Sequence, residues 1–217
     1  MIRLLPLLAV SLVLSGVFPP TAAAEGDGAK GYRLYEATAA TVNGGVLFLS
    51  DVARESCLRG CGAFPGDEPV DLSLAKARDG LVADTLVLQE QEKLGLGAVD
   101  NAALDEAATE AAGLIARCPL PCAESIGPAQ VREYARRRIL VRDFLRKRVS
   151  VFVDVNEEEV EREIQRRASR SGKRAEDIPA EAVRKELFEE RAAREIRNWF
   201  DRATSKSRVV LFPLEAR

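Results

Sequence analysis

The sequence predicts a mostly helical protein carrying a small antiparallel sheet, in which an N-terminal hairpin is completed by a C-terminal strand. Three observations carry that expectation. The stretch Thr41-Val-Asn-Gly-Gly-Val-Leu-Phe-Leu-Ser-Asp-Val52 holds a tight turn, a strand and a helix start within one short run. The only other β-branched apolar run of that kind, Val209 to Phe212, comes about 160 residues later. Between the two, apolar residues recur at helical spacing.

Asn43-Gly44 is the strongest local turn signal, because both residues tolerate the positive φ of a two-residue hairpin loop. Residues 39–42 and 46–49 are the predicted strands. Ser50-Asp51 reads as an N-cap followed by a short helix, which ends in the Gly60, Gly62, Pro65, Gly66 and Pro69 loop. A two-stranded hairpin is marginal in water, so further chain must cover it.

Residues 71–94 form an expected helix with Leu74, Ala77, Leu81 and Leu88 in one stripe, ended by Gly95 and Gly97. Asp100 caps a second long helix with Leu104, Ala108, Ala111 and Ile115 on one face, and Pro119 stops it. Pro128 opens a third, expected to run to about Arg148. Val149-Ser-Val-Phe-Val-Asp154 reads as an extended connector. Asn156 and Glu159 make a variant capping box for a helix reaching about Ser169. After a polar loop, Pro179 introduces the last helix, with Val183, Leu187, Ala192, Ile196, Trp199 and Ala203 on its buried stripe. Trp199 is the expected anchor between that helix and the hairpin.

Residues 1–24 have the order of a secretory signal: Arg3, an apolar run from Leu4 to Val17, then Ala22-Ala23-Ala24 before Glu25. The apolar run is shorter than the roughly 20 residues a membrane span needs. An exported chain cleaved after Ala24, with no stable membrane insertion, is therefore expected. Residues 25–217 suffice for one domain with a sizeable core.

Charge is unevenly spread. The whole chain is near neutral, with 32 basic and 34 acidic side chains. Residues 25–124 carry 8 basic and 17 acidic groups, whereas residues 125–217 carry 23 and 17. The basic excess is densest from Arg132 to Arg148. Its plain reading is a solvated helix face paired with the acidic half; its sharper one is a surface for an anionic partner. Nucleic acid is not an expected partner of an exported chain. The chain has no histidine, which removes Ser-His and Cys-His dyads, histidine metal sites and the usual general base. No cofactor is expected.

Four cysteines occur as Cys57-Leu-Arg-Gly-Cys61 and Cys118-Pro-Leu-Pro-Cys122. An even count in an exported chain implies disulfides. Pairs 57–122 and 61–118 would cross-link two loops. Pairs 57–61 and 118–122 are the local alternative, helped by Gly60 and the two prolines. The cross-links are preferred, with the local pairs left open. The spacing is neither the CxxC of redox enzymes nor that of four-cysteine zinc sites.

Several of these stretches in order resemble the chaperone module of the SurA family of periplasmic folding factors. Residues 40–52 are similar to its opening hairpin and helix start. Leu81 to Leu96 is similar to its second helix, with Leu104 to Ala112 following in place. Arg136 to Ile164 resembles its basic helix, connector and Glu158-Glu159-Val160-Glu161 helix, and Trp199 onward its closing helix and strand. The resemblance implies one domain in which residues 32–168 are completed by residues 178–212. Family members usually carry parvulin-type prolyl isomerase domains before the last helix. Here that interval, residues 170–180, is too short for one. The resemblance thus implies a periplasmic, non-enzymatic holdase that binds unfolded clients, such as outer-membrane proteins, in an apolar cleft between helices. Leu140, Phe144, Phe188 and Trp199 are candidate lining residues, though each reads more readily as core. Arg138 and Arg142 are candidates for a basic rim. The alternative is a dedicated subunit of an envelope complex without general client binding.

Overall fold

The computed structural model describes residues 36–214; the expected signal segment lies outside the described residues. Strands β1 (Thr38–Val42) and β2 (Gly45–Phe48) form the hairpin, and β3 (Val209–Leu211) pairs antiparallel with β1, giving the order β2-β1-β3. Six helices lie between β2 and β3: α1 (Leu49–Gly60), α2 (Leu74–Lys93), α3 (Asn101–Ala116), α4 (Pro128–Phe152), α5 (Glu157–Ser171) and α6 (Ala180–Ser205). The predicted class, mostly helical with a sheet closed by the C-terminal strand, is the observed one.

Asn43 is the node that makes the sheet. It adopts φ 51° in the turn. Its backbone N–H donates to the Arg208 carbonyl (2.9 Å) and its Oδ1 accepts from the Arg208 N–H (2.9 Å). Its amide nitrogen donates to Gln89 Oε1 (2.7 Å) on α2, and Gln89 in turn donates to the Val42 carbonyl (3.0 Å). One turn residue thus ties the returning strand and a helix to the hairpin.

Helix starts follow local chemistry. Asp100 accepts from the Ala103 N–H, and Asn156 and Glu159 exchange side-chain bonds with each other's N–H groups. The first helix departs from expectation: its N-cap is Phe48, with Asp51 three residues on accepting from the Phe48 N–H (3.0 Å).

The larger departure is α4, which runs through Phe152, so residues 149–152 are helical and not an extended connector. The Arg148 guanidinium lies 4.2 Å from the Phe152 ring centre and bonds Glu195 on α6. The i,i+4 contact within α4 and the tertiary bond to α6 together outweigh the β preference of Val149, Val151 and Phe152, which is worth at most about 1 kcal/mol per residue.

Core residues fall into four groups. Ala39, Val52, Ala77 and Leu81 join the hairpin to α1 and α2. Leu58, Phe64, Leu104, Ile115, Val131 and Tyr134 join α1, α3 and α4. Val87, Val141, Phe144 and Trp199 fix α6 on α2 and α4. Trp199 stacks edge-on against Phe144 (4.9 Å between centres), so it anchors the last helix on α4 and α2 and not on the hairpin. Finally, Val160, Ile164 and Val183 form a small core between α5 and the start of α6.

Both disulfides are cross-links. Cys57 bridges Cys122 and Cys61 bridges Cys118, with Cα separations of 6.1 and 5.3 Å. They staple the end of α1 to the Pro121–Ser125 3-10 turn after α3. Disulfides of this kind persist in oxidising compartments. No helix among the described residues is long and apolar enough to cross a membrane.

Candidate functional site

The chain builds an open apolar groove between α4 and α6. Val141, Leu145 and Val149 recur every four residues and so lie along one line of α4. Phe188 and Ile196 of α6 face them, and Arg138, Arg142 and Arg146, also four apart, border the same space. The groove has a volume of about 450 Å³ and no acidic side chain in its lining. Phe188 is 41% exposed there. One turn beyond Val149, Phe152 continues the line and is 58% exposed. A larger space of about 590 Å³ lies between the hairpin turn and the ends of α2 and α6. Its walls carry charges of both signs, with Glu90 and Glu92 among Lys93, Arg202 and Lys206, and it lacks a continuous apolar face.

The structure separates the residues that the sequence brought together as candidates. Leu140 and Phe144 are 4% and 7% exposed and belong to the core, as does Trp199. Phe188 lines the groove. The walls that sequence reasoning missed are Val141, Leu145, Val149 and Ile196. Their signal was present as a second stripe on α4, one helical step round from Leu140 and Phe144. The arginines spaced at the same interval mark its solvent edge.

Those arginines are not equivalent. Asp67, in the loop after α1, accepts from Arg138 (2.8 Å), Arg142 (3.2 Å) and Arg59 (3.3 Å). Arg142 also donates to the Pro65 carbonyl and lies 4.4 Å from the Phe64 ring centre. Arg138 is therefore mainly a tie between α4 and this loop. Arg142 keeps a side-chain exposure of 45%, and Arg146, paired with Asp143 on the adjacent turn, is 70% exposed. An exposed pair of that type is worth only a few tenths of a kcal/mol, so Arg146 is readily exchanged onto another carboxylate.

No protein-family model matches the chain, and no curated protein matches it.

A second polar cluster lies beneath the sheet. Glu55 of α1 and Asp84 of α2 are both buried and share Arg137 of α4. Burial pushes the Asp84 carboxyl up to about 6 from its ordinary 3.8; Arg137 opposes the shift and Glu55 adds to it. Beside it, burial pushes the Tyr134 hydroxyl up to about 12. Glu55, Tyr134 and Arg137 line a small space of about 220 Å³ beside β2, whereas Asp84 is not part of its lining, and the ion pairs through Arg137 join α1, α2 and α4. All four cysteines are bridged, so none is a free thiol.

The outer face of the sheet is a further apolar surface. Val46, Thr41 and Val210 stand opposite one another across the three strands and hence share a face. Phe48 and Phe212 extend it, and all four large apolar side chains are exposed.

Proposed function

We propose that the chain is an exported, non-enzymatic chaperone that holds unfolded polypeptides, outer-membrane or secreted proteins among them, in the α4–α6 groove. The observation that carries this reading is the groove itself: a continuous apolar wall, open to solvent, with arginines along its edge. A site for unfolded chains needs accessible apolar surface and weak, reversible contact. Ordering a flexible client offsets much of the contact energy, so shallow grooves release what they bind.

Two further features support it. Both disulfides fit an oxidising compartment such as the periplasm, in line with the signal-like residues 1–24. The hairpin, helix order and returning strand fit the resemblance to the SurA chaperone module. The short segment between α5 and α6 leaves no room there for an isomerase domain.

One observation favours a second reading. An exposed apolar sheet face of Val46, Phe48, Val210 and Phe212 suits a permanent partner in an envelope assembly.

The test is light scattering from a denatured β-barrel protein diluted into buffer with and without the purified protein. Near-stoichiometric suppression of aggregation, weakened by Phe188→Asp, is the expected result. Unchanged aggregation, together with one stoichiometric partner in pull-downs, would replace the chaperone reading with the subunit reading.

A further inference from the structure

We infer that the α4–α6 groove selects extended segments whose apolar side chains are flanked by aspartate or glutamate. This rests on the chaperone reading above and specifies the client class of that same site.

Geometry sets the length. From Val141 to Phe152 the apolar line of α4 climbs about 16 Å at 1.5 Å per residue. An extended chain advances about 3.3 Å per residue, so about five client residues span it, with alternate side chains turned inward. Charge sets the flanks. The bordering arginines are spaced by four helical residues, about 6 Å, which is two residues of extended chain. No acidic side chain lines the groove; the acids paired with its border, Asp67 and Asp143, lie outside the lining. Arg138 and Arg142 both bond Asp67 and Arg146 pairs with Asp143, but the side chains of Arg142 and Arg146 keep exposures of 45% and 70%, so these two exchange onto a client carboxylate more readily than Arg138 does. Two exposed ion pairs together favour an acidic flank over a neutral one by about fivefold, and a basic flank is disfavoured to a similar degree.

The probes are three fluorescent peptides with one five-residue apolar centre, flanked on both sides by two Asp, two Ser or two Lys. Binding to the purified protein is read by anisotropy at low and high salt. Affinity is expected to fall in the order Asp, Ser, Lys, with steps of about fivefold that shrink at about 0.5 M salt. Arg142→Glu combined with Arg146→Glu reverses the order. Arg146→Glu alone, at a more exposed position, gives a smaller change in the same sense if the double variant does not fold. Phe188→Asp weakens all three peptides.

Equal affinity for the three peptides in a protein that still suppresses aggregation overturns this inference and leaves the chaperone reading standing. Peptide binding indifferent to Phe188→Asp also overturns it, because the site then lies elsewhere. Self-association in sedimentation velocity that Phe188→Asp abolishes would assign the groove to a second copy of this chain. Failure of both peptide binding and aggregation suppression removes the chaperone reading itself.

Discussion

Asp84→Asn should remove a pH dependence of stability that the wild-type protein shows between pH 5 and 7.5. The Asp84 carboxyl is buried among α1, α2 and α4, beside Glu55 and Arg137. In the folded protein it holds its proton up to about pH 6, against 3.8 in the unfolded chain. Between those values the native state binds a proton that the unfolded state has released. Stability therefore falls as pH rises through this window, and it levels off once Asp84 is ionised in both states. The full difference corresponds to about 3 kcal/mol at 1.36 kcal/mol per pH unit. Over the accessible part, from pH 5 to 7.5, linkage gives a loss of about 1.4 kcal/mol.

The measurement is urea unfolding followed by far-UV circular dichroism at pH 5, 6 and 7.5. This protein suits the test because it has no histidine, the side chain that ordinarily titrates in that range. Carboxylates held below their ordinary range act at lower pH. Glu163, for example, is lowered to about 2 by Arg166 and Arg167, and Glu159 is lowered by Arg191. Their stabilisation is lost only as pH falls below about 4.5. Wild type should be more stable at pH 5 than at 7.5, and Asp84→Asn should be level across the range. It should also equal or exceed wild type at pH 7.5, since the amide carries no charge to desolvate. A wild-type protein that loses stability on going from pH 7.5 to 5 would refute the reasoning. So would an asparagine variant that keeps the wild-type slope.

Removing one disulfide should cost less than half of what removing both costs. The bridges are nested, with sequence separations of 65 and 57 residues. Either alone closes the long loop, for about 4 kcal/mol, and the other then closes only the few residues between them, for about 2–3 kcal/mol. Chemical denaturation of Cys57→Ser/Cys122→Ser, Cys61→Ser/Cys118→Ser and the fourfold variant distinguishes this from two independent cross-links. At the hairpin turn, Asn43→Ala should cost about 1 kcal/mol more than Asn43→Gly. Both lose the side-chain bonds to Arg208 and Gln89 and keep the backbone bond to the Arg208 carbonyl, but only alanine is strained at the positive φ. Equal losses in thermal unfolding would show that the side-chain bonds alone hold the turn.

What could be read from the sequence was whatever local chemistry decides. Asn43-Gly44 fixes the turn, Asp100 and Asn156 fix helix starts, and the isolated run at Val209 can join only the hairpin. The overreach came where distant contacts outvote local preference. Val149 to Phe152 looks like a strand in isolation, yet it continues α4, whose end is held to α6 by Arg148–Glu195 and locally by Arg148 lying over Phe152 one turn on. Trp199 was legible as an anchor but not as to what it anchors. The candidate site shows the same limit. Helix α4 carries apolar residues around more than half its circumference, and periodicity alone does not say which line α6 covers. Leu140 and Phe144 went into the core, Val141 is buried with Phe144 yet reaches the groove, and Leu145 and Val149 became its wall.

That an apolar groove stays open at all follows from where α6 is fastened. Toward its C-terminal half, Trp199 lies against Phe144 and Val87, and Glu195 bonds Arg148. Toward its start, Val183 packs with Val160 and Ile164 of α5, and Arg191 grips Glu159 with bonds of 2.6 and 2.9 Å. Phe188 falls between Val183 and Arg191, within the stretch of α6 that is held to α5. Closing the groove over it would need α6 to leave either the body or α5, giving up a packed cluster to cover one ring and a short wall. On the opposite side, Asp67 draws Arg138 and Arg142 toward the loop after α1 and keeps their guanidinium groups from folding down over Val141 and Leu145. The exposed surface is thus a product of constraints at its margins: among the described residues, the contacts that hold α6 and the arginines in place are the ones that would have to break to cover it.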